Sequence, residues 1–117
     1  MKYMLLIYAE EKVLADVDRE KCYAESAQLC RELAARGQYV SASPLQPVET
    51  ATTVRLRNGK PMITDGPFAE TREQLGGYFM VEAGDLNEAI KIAERIPAAR
   101  WGTVEVRPVA EIGGLPS

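Results

Sequence analysis

The chain has no histidine among its 117 residues. That absence removes the side chain whose ordinary pKa lies nearest neutrality, so no serine, Ser41 and Ser43 included, can belong to a Ser-His triad. It also leaves zinc without a ligand set, because the two cysteines form no CxxC pair and tetrahedral sites need several Cys, His or carboxylate ligands at suitable spacing. No metal and no cofactor are expected. Cys22 and Cys30 lie eight residues apart in one predicted helix, roughly 12 Å along its axis, whereas a disulfide needs Cα atoms within about 7 Å. They read as small apolar side chains on a helix face.

A basic surplus is missing as well. Fourteen Lys and Arg stand against 17 Asp and Glu, for a net charge of -3, so the long-range field favours neither phosphate backbones nor anionic lipid. Nucleic acid and membrane are not expected as direct partners. Long apolar runs are absent too: Tyr3 to Tyr8 is only six residues, short of a secretory h-region or of the roughly 20 residues that cross a bilayer. A cytoplasmic protein is expected, and the length suits one domain.

What is present has a clear periodicity. Lys2 to Tyr8 is a strand apolar on both faces. From Asp16 to Arg36 the small and apolar positions Cys22, Ser26, Leu29, Cys30 and Leu33 recur at helical spacing, with Asp16 as start signal and Gly37 as stop. Tyr39 to Leu45 and Thr50 to Arg57 are strands, and Asn58-Gly59 turns the second into a hairpin returning through Pro61 to Thr64. Gly77 to Ala83 is a further strand. Asp85 opens a helix with the inward stripe Leu86, Ala89, Ile90, Ala93 and Ile96, which Pro97 ends, and Thr103 to Pro108 alternates strictly as a last strand. The order is that of a ferredoxin-like α+β fold, a split βαβ unit carrying an inserted hairpin. Two helices cover one face of such a sheet. The second face, apolar at Tyr3 to Tyr8 and Tyr78 to Val81, calls for another copy of the chain, so a homodimer is expected.

Candidate chemistry gathers at Asp65-Gly66-Pro67-Phe68-Ala69-Glu70-Thr71. Asp65 ends a strand and Gly66-Pro67 fixes the turn, so its carboxylate is held on a stiff support; the alternative is an Asx-type turn in which it only accepts backbone N–H bonds. Glu70 nearby makes a carboxylate pair conceivable, one acid and one base. Thr71-Arg72-Glu73-Gln74 has the form of a capping box for a single helical turn. Arg55 on the hairpin is a candidate anchor for a small anionic ligand, with Ser43 and Phe68 as further candidate ligand contacts; Phe68 also reads as a lid or core plug. Trp101 reads as a cover for the end of the core.

Ala51-Thr52-Thr53-Val54-Arg55, the Thr64 to Thr71 string, Glu73-Gln74-Leu75-Gly76-Gly77-Tyr78 and Val104-Glu105-Val106-Arg107-Pro108-Val109 together closely resemble the DGPF branch of the YCII-related family, over nearly the whole chain. The resemblance implies a dimeric α+β barrel of residues 1–110, followed by a flexible tail over 111–117. It implies a pocket containing an Asp, with a helix-borne His in the YCII branch that would fall near Ser26 here. Any acid-base role is then left to Asp65 or a neighbouring glutamate. Relatives in the DGPF branch look like companions of extracytoplasmic-function sigma factors. Two readings follow: a small-molecule binder or enzyme with an Asp-centred pocket, and a non-enzymatic accessory of such a sigma factor.

Overall fold

Strand β1, Lys2–Ala9, is hydrogen-bonded along both edges. The structure, a computed structural model, describes residues 1–116. After β1 come a short helix α1 (Glu11–Asp16), the long helix α2 (Arg19–Ala35), β2 (Tyr39–Pro44) and a 3-10 turn (Val48–Thr50). Then follow β3 (Thr52–Arg57), β4 (Lys60–Asp65), β5 (Gln74–Glu82), α3 (Leu86–Glu94), a second 3-10 turn (Pro97–Arg100) and β6 (Thr103–Pro108). The main sheet has the order β2-β5-β1-β6, each neighbouring pair antiparallel, while β3 and β4 pair only with each other. With that hairpin set aside, the chain is a split βαβ unit, so the α+β ferredoxin-like fold expected from the sequence is the observed one.

Alternation along the central strands sorts the side chains. Tyr3 and Leu5 of β1 and Phe79 and Val81 of β5 are buried, packed with Leu29 and Leu33 of α2 and with Ala89, Ile92, Ala93 and Ile96 at α3, and Ala9 of β1 is buried as well. The sequence expectation for α3 is corrected at two positions: Leu86 and Ile90 are exposed, and Ile92 takes the inward place. The stripe runs Ala89, Ile92, Ala93, Ile96, still at three- and four-residue steps but rotated about the axis.

Helix ends follow local chemistry. The helix expected from Asp16 to Arg36 starts later, at Arg19, because Val17 and Asp18 are extended and Asp18, not Asp16, caps α2 through its Oδ1, which accepts from the Lys21 N–H at 3.1 Å; Asp16 instead ends α1, a helix not expected from the sequence. At the other end Gly37 has φ +71, its N–H donates to Ala34 O and the Gln38 N–H to Leu33 O, a Schellman stop that a β-carbon would strain. Asp85 caps α3 by accepting from the Glu88 N–H at 2.9 Å, and Glu88 reaches back to the Gly84 N–H at 3.3 Å. Arg95 of the α3 C-terminus pairs with Glu32 of α2. Hydrogen bonds from Arg95 and then Gln28 hold the Glu32 carboxyl below its ordinary range.

The hairpin turns at Asn58 and Gly59, both at positive φ, as the sequence requires. It stands clear of the main sheet: all of β4 and all of β3 but Thr53 is exposed. The molecule is accordingly a slab of 47 × 43 × 20 Å with a radius of gyration of 16.0 Å, above the roughly 13 Å of a compact chain this long. On the sheet face away from the helices, β1 and β5 present Met4, Leu6, Tyr8, Tyr78 and Met80, flanked by Ser41 on β2 and by Thr103, Glu105 and Arg107 on β6. Both main helices pack on the opposite side.

Gly102, between the second 3-10 turn and β6, is held by geometry: a Cβ there would meet Tyr8 O at 2.4 Å. Gly102→Ala is expected to cost about 1–3 kcal/mol, read as a lower urea midpoint. Gly76→Ala, whose Cβ would meet nothing nearer than Ile7 O at 4.0 Å, is expected to cost less; equal midpoints for the two variants would refute the close approach.

Candidate functional site, a cavity beneath the long helix

Beside Leu29 and Leu33, which pack into the core, the inward side of α2 carries small side chains. Cys22, Ser26, Ala27 and Cys30 face Ala9, Ala42, Gly76 and Gly77 across the gap, and a cavity of about 730 Å³ remains between them. Such a volume lies in the range of ligand sites. Gly77 is needed for the wall itself, since a Cβ there would press on Ser43 O at 3.0 Å and Pro44 Cα at 3.3 Å, forcing β2 away from β5.

Aromatic and aliphatic groups complete the lining: Ile7, Phe79, Ile96 and Trp101 from the core side, Tyr23 and Tyr39 from the helix and β2, and Leu45 and Leu75 towards the rim. Trp101 is half-buried and packed against the core, so its expected covering role holds, with the addition that it walls the cavity. The polar lining is sparse, comprising Glu11, Arg19, Ser26, Ser43, Gln46 and Gln74 besides the tyrosines and thiols.

Several of these polar groups already have partners. Glu11 Oε1 accepts from the Val48 N–H at 3.0 Å, and Gln74 Nε2 donates to Ala69 O and Thr71 O at 3.0 and 2.9 Å. Next to Glu11, Glu10 Oε1 accepts from Arg72 Nε at 2.5 Å. The start of α1 therefore ties down both connections that flank the hairpin. The helical turn expected at Thr71 to Gln74 is not formed: Thr71 Oγ1 donates to Glu73 O at 2.6 Å and Gln74 enters β5. Gly76-Gly77 lies two residues further on inside a strand paired on both edges, and that pairing outcompetes one isolated turn of helix.

Of the residues singled out in the sequence, Ser43 lies on this cavity and Asp65, Glu70, Arg55 and Phe68 do not. Asp65 is exposed at the end of β4, opposite Thr52. The Gly66 beside it, at φ +101, donates its N–H to Ala51 O at 2.7 Å and accepts from Thr53 Oγ1 at 2.8 Å. These bonds close the base of the hairpin without the Asp65 carboxylate, which has no hydrogen bond among the described residues. Glu70 is exposed. Phe68 is not a plug: it is 72% exposed, with the Arg55 guanidinium carbon 4.6 Å from its ring centroid. Arg55 on the exposed hairpin and Phe68 in the connection after β4 both lie away from the core, so a cation-π contact is the packing within reach.

Sequence reasoning passed over Arg19, Glu11, Tyr23 and Tyr39 as lining residues. The available signal was the smallness of the α2 stripe, where Cys, Ser and Ala stand in place of Leu and Ile. Both cysteines are free thiols, and burial pushes the Cys30 thiol above its ordinary pKa, with Arg31 pulling less strongly the other way.

An antiparallel split βαβ sheet with a small-molecule-sized cavity under its long helix defines the class, an α+β sandwich with one candidate ligand site. Within that class, the YCII-related domain matches residues 1–113, and the chain belongs to the YCII-related family. It is similar to an uncharacterized protein of Rhizobium meliloti (strain 1021), 37% identical over 128 aligned positions that cover the whole of both chains.

Desolvation of Cys30 has a measurable sign. In a Cys22→Ser variant, the alkylation rate of the remaining thiol is expected to rise with pH later in the folded protein than in the same protein unfolded in urea. A folded midpoint at or below the unfolded one would show that Cys30 is not desolvated.

Proposed function

We propose that this protein binds a small molecule in the cavity beneath α2. The observation that carries the reading is a gap of about 730 Å³ left by small side chains on both walls, predominantly apolar and with few polar groups, which is the usual make-up of a ligand site. The support favours binding over acid-base turnover, because Asp65 lies off the cavity and Glu11, the carboxylate on its wall, already accepts from the Val48 N–H.

We further propose that the protein works as a homodimer. Five apolar side chains occupy the centre of a sheet face that no described element covers. The hairpin adds a second apolar surface: register pairs Val54 with Ile63 and Leu56 with Pro61, and Val54, Leu56 and Ile63 are 64%, 67% and 68% exposed. Arg55, Met62, Arg57 and Lys60 take the other side. Burying a side chain of that size contributes about 1.5–3 kcal/mol, and a copy of the same chain offers the matching apolar sheet. The exposed hairpin also favours, as a second reading, a partner of another kind such as the sigma factor that the resemblance implies.

Two measurements test these readings. A neutral apolar dye, Nile red, is expected to brighten on the native protein and to lose at least tenfold in affinity on Ser26→Leu, which fills the cavity, while Asp65→Asn leaves it unchanged. Equal binding by wild type and Ser26→Leu would remove the cavity as the site. Light scattering at micromolar concentration is expected to give twice the chain mass, and to fall to the monomer mass on Leu6→Glu; a monomeric wild type would end the dimer reading.

A further inference from the structure

The cavity carries one unmatched charge. Arg19 opens α2 and lies on the cavity wall, where it is the one Lys or Arg among the described lining residues. It makes no ion pair or side-chain hydrogen bond among the described residues. The one acid among the described lining residues, Glu11, holds the Val48 N–H at 3.0 Å, and the neighbouring Asp18 caps the helix on the Lys21 N–H at 3.1 Å. A guanidinium beside an apolar chamber is suited to a planar carboxylate, which it meets with two parallel N–H bonds.

The rest of the wall describes what the carboxylate is attached to. Tyr23, Tyr39, Phe79 and Trp101 supply aromatic surface, and Ser26 a hydroxyl partway along the helix stripe. One cation and few other donors suit a single negative charge; a phosphate would leave most of its acceptor oxygens unmet. The net charge of -3 gives no general attraction for anions, so selection for one has to be local.

We propose that the cavity takes amphipathic monoanions, an aromatic or aliphatic body bearing one carboxylate, and that Arg19 selects the charge. This rests on the binding reading above and adds the ligand class to it. It also moves the anion anchor from Arg55, which faces Phe68 on the hairpin, to the first residue of α2.

Trp101 is the single tryptophan of the chain and walls the cavity, so its emission reports occupancy. The test is a pair of titrations of the full-length protein with phenylbutyrate and with its neutral amide, which share one body and differ in charge. Phenylbutyrate is expected to bind about tenfold more tightly than the amide, a modest ratio because the cation is exposed, and the ratio should shrink with added salt. Arg19→Gln is expected to bring the two affinities together without weakening the amide, and Arg19→Lys to retain part of the preference. Equal affinities on the wild type, or a preference that survives Arg19→Gln, overturn the role of Arg19 while leaving the cavity as a binding site. If neither compound shifts Trp101 emission at millimolar concentration and Nile red also fails to distinguish Ser26→Leu, the binding reading falls with it.

Discussion

A sheet whose two central strands are apolar on both sides, covered by helices on only one, is the constraint on which the rest of this structure depends. β1 is hydrogen-bonded to β5 and β6, and every second residue along it must find apolar company on one side or the other. Tyr3 and Leu5 find it under α2 and α3. Met4, Leu6 and Tyr8 do not, and together with the projecting hairpin they leave a slab only 20 Å thick with an unfinished surface. Helix-side packing buries the core, and the other side keeps its apolar groups only partly covered.

The helix layer is itself incompletely filled. Leu29 and Leu33 anchor the C-terminal half of α2 to the sheet, whereas its N-terminal half carries Arg19, Cys22, Ser26 and Ala27 over the cavity. One helix thus does two jobs, tight packing at one end and enclosure of space at the other. The ties from Glu10 to Arg72 and from Glu11 to Val48 hold the connections on either side of the hairpin to the start of α1.

Much of this was legible in the residues. Strand positions, the Asn58-Gly59 turn, the Gly37 stop and the Asp85 cap follow from local chemistry, and local chemistry prevailed there because no tertiary contact opposed it. The misreadings have a common cause in competition. Asp16 and Asp18 are equally good caps by composition, and the extended backbone at Val17 decides between them. Thr71 to Gln74 matches a capping box, but β5 claims Gln74 for its ladder. Leu86 and Ile90 fit a helical stripe as well as Ile92 does, and only the angle at which α3 meets the sheet distinguishes them. The candidate site was harder to foresee for a different reason. A motif such as Asp65-Gly66-Pro67 draws notice by its unusual residues, yet Gly66 is accounted for by the hairpin base, while the cavity comes from what ordinary residues lack in volume.

The placement of β1 also bears on how the chain is made. Tyr3 pairs with Val81 on one side and with Pro108 on the other, and the terminal amine of Met1 donates to Ala83 O. Of the described strands, β1 is therefore made before both of its partners, and β5 and β6 follow it by some 65 residues or more. Until they arrive, an apolar strand with two free edges has no native neighbour, whereas the β3–β4 hairpin, closed over a few residues, can form at once. The long delay between making β1 and pairing it is a period of exposure to other apolar chains, imposed by topology and independent of the final stability of the fold.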